Sequence, residues 1–235
     1  MNILFFPKKH LRTKILFKIA IFTACLLLTL IGCTACTKQI NYFEYVSELR
    51  NNILVAKSES FSLRIYAVCK ESPYSTDGIP RETFSRMEAY LSTPEGNKET
   101  QIQLQIDDKH YEGEMSYDLV KGEYYYSCPA DVSSQREIVC LVKYGEEEVE
   151  LTATSILTKD TLSPQEALQK LQTEKAELFS SMTDKYGFSG EIYLRLLFED
   201  SPYYYVGIID RQGNCIAFLM NAETGKILAQ RQTQT

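Results

Sequence analysis

Thr100-Gln101-Ile102-Gln103-Leu104-Gln105-Ile106-Asp107-Asp108 is the stretch from which the rest of the chain is read. Three aliphatic residues alternate with three glutamines, and two aspartates follow. Side chains along a strand point to opposite faces in turn, so this pattern predicts a strand with one face in a core and the other in water. The aspartate pair predicts the turn that ends it. The same period of two runs outward in both directions, from Phe61 to Ile156. Leu63, Ile65, Ala67 and Cys69 alternate with Arg64, Tyr66, Val68 and Lys70. Met87, Ala89 and Leu91 alternate with Glu88 and Tyr90. Tyr111, Met115, Tyr117 and Leu119 share a face, and further strands fit 123–128, 136–144 and 147–156. Lys121-Gly122 and Tyr144-Gly145 supply turns. About seven short strands at this spacing predict two packed antiparallel sheets over 58–157, an immunoglobulin-like β-sandwich in architecture.

Upstream, Phe43, Val46, Leu49 or Arg50, and Ile53 fall at spacings of three and four. That spacing predicts a short amphipathic helix over Asn41–Ile53, so 33–57 reads as a tether and a short helix. Downstream, Thr158–Thr161 is a linker. Ser163-Pro164-Gln165-Glu166 then opens a helix, with Ser163 as N-cap, Pro164 in the first turn and Glu166 completing a capping box. The helix is expected over 164–186, ended by Gly187. Four strands follow, near 189–199, 203–209, 215–220 and 226–231, turning at Ser201-Pro202, Arg211–Asn214 and Glu223–Gly225. A helix followed by an antiparallel meander is an α+β unit.

The meander carries a resemblance. Tyr204-Tyr205-Val206-Gly207, a turn, and Ala217-Phe218-Leu219-Met220-Asn221-Ala222-Glu223-Thr224-Gly225-Lys226-Ile227-Leu228 resemble the end of a PepSY-type domain. Asn221 stands where that pattern has Asp, and Lys226 where it has Glu. The resemblance covers 162–235 and implies a binding or regulatory role toward peptidases; it brings no catalytic residue.

The first 36 residues read as a targeting segment. Lys8, Lys9, Arg12, Lys14 and Lys18 precede an uncharged stretch from Ile19 to Cys36, the layout of an export signal. Leu30-Ile31-Gly32-Cys33 resembles the bacterial lipobox. The resemblance implies a lipoprotein signal peptide over 1–32 and a diacylglyceryl group on Cys33, the mature N-terminus. Two acyl chains suit stable anchoring. The chain as a whole is thus similar to surface lipoproteins of Gram-positive anaerobes: held on the extracytoplasmic side of the cell membrane, with a protein partner at the cell surface.

Beyond the leader, 20 basic residues stand against 31 acidic ones, a net charge of −11. Such a body repels phosphate backbones, which argues against nucleic acid. His110 is the one histidine past the leader and has no nucleophile motif beside it. Glu146-Glu147-Glu148 points alternately to two faces and lacks the spacing of a calcium loop. Cys33-Thr-Ala-Cys36 is the one Cys-x-x-Cys, and its first thiol is assigned to lipid. No catalytic, cofactor or metal residue is therefore expected. Cys69 and Cys140 share core phase in their strands; they read as buried thiols or, alternatively, as a disulfide between sheets.

One helix covers one face of the meander. The aliphatic face of Ile192, Leu194, Leu196 and Phe198 should take it. Tyr193, Leu197, Tyr203 and Tyr205 are then left on the other face as an interface, either with a partner or with the chain's own sandwich. The leading functional reading is a non-enzymatic binding or regulatory lipoprotein. A surface hydrolase with paired carboxylates and a solute-binding lipoprotein are the alternatives.

Overall fold

The computed structural model describes residues 40–75, 77–96 and 98–233, and Asn41–Thr235 form one compact unit. The expected signal peptide and Cys33 lie outside the described residues. After a 3₁₀ turn at Tyr42–Tyr45, the chain runs through β1 (Val46–Lys57), β2 (Ser62–Glu71), β3 (Thr83–Ser92), β4 (Thr100–Ile106) and β5 (Lys109–Glu114). Then come β6 (Ser116–Asp118), β7 (Glu123–Cys128), β8 (Glu137–Tyr144) and β9 (Glu147–Ser155). Two helices follow, α1 (Pro164–Glu174) and α2 (Ala176–Ser181), then a two-stranded hairpin of β10 (Thr183–Asp184) and β11 (Gly187–Phe188). The meander is β12 (Gly190–Phe198), β13 (Pro202–Asp210), β14 (Cys215–Asn221) and β15 (Ile227–Thr233). The protein is mainly antiparallel β, with one 13-stranded sheet.

β1 is the strand on which everything converges. Along one edge it pairs antiparallel with β2. Along the other, its first half pairs parallel with β12, from Val46↔Ile192 to Arg50↔Arg195, and its second half pairs antiparallel with β9 at Leu54↔Ser155 and Val55↔Thr154. The sheet therefore forks at β1. One continuous path runs β15-β14-β13-β12-β1-β2-β3-β7-β6, and the branch β9-β8-β4-β5 leaves it.

The branch covers one face of the long path. Leu54, Ile65, Met87, Leu91 and Tyr124 from the path share a single buried cluster with Ile102, Leu104, Ile138, Cys140, Val142 and Leu151 from the branch. Each such aliphatic side chain contributes about 1.5–3 kcal/mol when fully buried. Past β12 the helices take over on that face. Leu168, Leu171 and Phe179 are buried, as are Ile192, Leu194, Leu196, Val206, Phe218 and Met220 of the meander. The Tyr204 hydroxyl donates to the Leu162 carbonyl at 2.8 Å, and the Lys175 ammonium lies 5.6 Å from the centre of the Phe218 ring. The helix thus sits on the aliphatic face named from the sequence.

Local chemistry explains most elements. The α1 capping box is complete: Glu166 N–H donates to Ser163 Oγ at 3.3 Å, and Ser163 N–H donates to Glu166 Oε2 at 2.8 Å. Such a cap contributes about 1 kcal/mol.

Three expectations are corrected. Residues 46–53 are strand, not helix. The β1 ladder shifts register between Val46 and Glu48 and again between Arg50 and Asn52, and each bulge moves the alternation by one residue. Val46 and Leu49 face inward across the first shift and Leu54 after the second, at spacings of three and five, while Ile53 lies opposite Tyr66 on the other face, so the period of two is hidden. Next, the helix expected over 164–186 breaks at Lys175, whose φ of −116° and ψ of 35° leave the helical region, and ends at Ser181. Gly187 lies in the β10–β11 hairpin instead of at a helix end. Finally, Phe198 does not join the covered face; it is 38% exposed at the end of β12.

Candidate functional site

Register places one kind of residue on the other face of the long path. Tyr125 of β7 is opposite Tyr90 of β3, and Tyr66 of β2 is opposite Glu88. Arg50 of β1 is opposite Arg195 of β12, which is opposite Tyr205 of β13, which is opposite Leu219 of β14. These side chains, Glu88 apart, are half-buried. The rings pack edge to tilted, with centroids 5.5 Å apart for Tyr66 and Tyr90 and 5.1 Å for Tyr90 and Tyr125. The Arg50 guanidinium lies 4.2 Å above the Tyr66 ring centre, and that of Arg195 lies 5.0 Å from Tyr193 and 5.8 Å from Tyr205. Cations over aromatic faces contribute about 0.5–1 kcal/mol each at such sites. Gly207 sits between two of the rings: a Cβ there would lie 3.2 Å from Tyr205 and 3.5 Å from Tyr193.

All four residues named from the sequence lie on this face. Leu197, Tyr203 and Tyr205 remain half-buried, while Tyr193 is only 5% exposed. The cause is the β2–β3 connection, whose described residues, 72–75 and 77–82, strap across it. The Tyr74 ring centre is 5.9 Å from that of Tyr193. Gly78, at φ +73°, lets the strap lie directly on β13, since a Cβ there would stand 2.6 Å from the Asp210 carbonyl oxygen.

Beneath the strap lies a chain of polar contacts. Arg195 grips Glu48 with two hydrogen bonds, Nε to Oε1 at 2.8 Å and Nη2 to Oε2 at 2.5 Å. The Tyr74 hydroxyl donates to Glu48 Oε2 at 2.7 Å, and the Tyr193 hydroxyl donates to Glu191 Oε1 at 2.8 Å. Arg81 N–H donates to Glu71 Oε1 at 2.5 Å. Burial pushes the Glu48 carboxyl up, but Arg195, Tyr74 and Arg50 together outweigh it and hold the group below the ordinary carboxylate range. Glu191 goes the other way: burial, with the charge of Glu71 added, raises it above that range. Burial likewise pushes the Tyr74 hydroxyl up to about 12.

The other residues singled out lie elsewhere. Cys69 donates from Sγ to Thr83 Oγ1 at 3.2 Å on β2. Cys140 is fully buried in the core, and burial pushes its thiol up to about 12. Both are free thiols, and the structure does not join them. His110 is exposed in the β4–β5 hairpin, 3.6 Å from Glu112. Glu146 in the β8–β9 turn and Glu147 and Glu148 at the start of β9 are all exposed. A cleft of about 420 Å³ at the β4–β5 turn is lined by Asp107, Asp108 and Asp131 among others. Asp107 accepts from Gln135 Nε2 at 2.8 Å, and Asp131 accepts from the Ser133 N–H at 2.9 Å. Among the described residues no group of three or more His, Cys, Asp or Glu is placed to hold a metal ion, and no helix is long and apolar enough to cross a membrane.

Tyr66, Tyr90, Tyr125, Arg50 and Glu48 were not named from the sequence as parts of this face. The phase of β2 was the available signal: Tyr66 opposes Leu63 and Ile65 in the alternation and therefore points away from the core.

The chain matches no family model, no curated protein and no solved structure.

Proposed function

We propose that this protein is a non-enzymatic binding module, anchored by lipid on Cys33 to the extracytoplasmic side of the membrane, that meets a protein partner through its tyrosine face. One observation carries the reading. Half-buried Tyr125, Tyr90, Tyr66 and Arg50 follow one another across four neighbouring strands, and Arg195 and Tyr205 continue the row on β12 and β13, where the β2–β3 connection meets it through Tyr74. Tyr and Arg are the residues enriched at the centres of protein interfaces, where a broad ring or a planar cation supplies contact area and a polar tip. The hydrolase alternative calls for paired carboxylates open to substrate. Glu71 and Glu191 are shut away from solvent, at 2% and 0% exposure.

The test replaces Tyr203 and Tyr205 together by Ser in cells and compares cross-linking at the surface with thermal stability of the purified protein. Lost cross-linking at a melting temperature within a few degrees of the parent supports the contact surface. Unchanged cross-linking overturns it. Cys33→Ala tests the anchor separately: the variant should leave the membrane fraction or remain uncut, and normal processing and retention would refute lipidation there.

A further inference from the structure

The tyrosine face carries a charge opposite to that of the body. Past the leader the chain has a net charge of −11. On this face Arg50, Lys57, Arg64, Lys70, Arg86, Arg195 and Arg231 stand against Glu48, Glu88, Asp118, Glu123 and Glu191. Three of these cations are matched: Arg64 by Glu123, Lys70 by Glu88 at 2.8 Å, and Arg195 by Glu48. Arg50, Arg86 and Arg231 have no carboxylate within ion-pair reach among the described residues.

Arg50 is the central one. Its Nε is shielded from solvent and has no hydrogen-bond partner. Its guanidinium is laid on Tyr66, and its register neighbour across the parallel ladder is another arginine, Arg195. Like charges directly opposite on adjacent strands are destabilising unless an anion lies between them. Glu48 meets that need for Arg195, to which it gives both oxygens, and leaves the Arg50 fork open. A guanidinium stacked on a ring is held in position, and its paired N–H donors match a carboxylate.

Resting on the reading of this face as a contact surface, we propose that the partner is a protein presenting acidic side chains, and that Arg50 receives one of their carboxylates. A membrane surface fits less well. Adsorption to anionic lipid draws on clusters of exposed Lys and Arg at about 1 kcal/mol each, whereas here three cations are already neutralised and the central one is half-buried among rings.

The probe is a fluorescent decaglutamate peptide, titrated against the full-length protein in nonionic detergent, with decalysine and glycerophosphoglycerol, the soluble headgroup of an anionic lipid, as companions. Decaglutamate should bind at low salt, weaken as salt rises, and bind about tenfold more weakly to Arg50→Gln, the loss expected for one charge-assisted pair. Lys159→Gln, an exposed cation on a loop, should bind like the parent. Arg50→Lys keeps the charge without the fork and should fall between; it decides the matter if Arg50→Gln melts early. Equal binding by the parent and the Arg50 variants, no binding of decaglutamate, or binding of glycerophosphoglycerol without peptide would each overturn the proposal. If decaglutamate fails while the Tyr203 and Tyr205 double variant still loses surface cross-linking, the contact surface stands and the acidic partner falls.

Discussion

The two faces of the long sheet come from the same strands and do opposite work. Inward, β2, β3 and β12 present Leu63, Ile65 and Ala67, then Met87, Ala89 and Leu91, then Ile192, Leu194 and Leu196, all at 3% exposure or less. Outward, the same strands present Arg64, Tyr66, Tyr90, Tyr193, Arg195 and Leu197. The inner face holds through non-directional burial, which rises with area and needs no particular partner. The outer face holds through ring edges, cation–ring contacts and ion pairs, most still touching water and each weak. Changes inside should therefore cost stability, and changes outside should cost contact.

The sharpest way to break this contrast is Leu54→Ala. Leu54 is fully buried on β1 where the sheet forks. The loss should be about 3 kcal/mol in urea denaturation; a loss under about 1 kcal/mol would mean that the fork is not where the core is anchored. Second comes Arg195→Ala, which strips the buried Glu48 of its main cation and should cost about 2 kcal/mol near neutral pH. The pH dependence has a definite sign. Glu48 titrates below its ordinary value when folded, so its contribution is complete above the unfolded carboxyl pKa and fades as pH falls through the lowered folded value. Removing Arg195 should flatten that acid-side loss.

Glu191→Gln should have a smaller effect of opposite sign. With its folded pKa above the unfolded one, Glu191 weighs against the native state once pH rises past the unfolded value, and the penalty is complete above the folded value. The amide should therefore stabilise by about 1 kcal/mol at pH 7, and the gain should vanish in acid below the ordinary carboxyl range. A variant less stable than the parent at pH 7 would show that the carboxylate is needed charged. The smallest effect is expected for Tyr203→Ser alone, under about 1 kcal/mol in thermal melting; a larger loss would make the outer face a part of the fold.

Where alternation was regular, the sequence was enough. Ile102, Leu104 and Ile106 all lie in the core, and the four meander strands fall within a few residues of their expected bounds. The capping box at Ser163 and Glu166 was legible because its chemistry is local. β1 was not, because two register shifts turn a period of two into spacings of three and five. The helix was expected to run on past Lys175 because 164–186 has apolar residues at helical spacing, and nothing within that segment marks the Lys175 break. Of the site, the β12–β13 share was legible from strand phase, since Tyr193, Leu197, Tyr203 and Tyr205 do share a face. Its other share was not. Tyr66 and Tyr90 join Tyr205 only because β1 pairs parallel with β12, and a pairing across that distance leaves no mark in either segment.

The same parallel ladder has a consequence for how the chain comes to be folded. Glu48 and Arg195, which close it, are 147 residues apart in sequence. Until β12 exists, half of one edge of β1 has no hydrogen-bond partner, and Glu48 has no Arg195. Contacts of such separation form late and slowly, because the loop between them must close first. A chain delivered from its N-terminus would thus expose an unfinished strand at its leading end until nearly all of it had arrived. The parallel ladder makes completion an event of the last fifth of the molecule, and an unpaired β1 edge marks every chain that stops short.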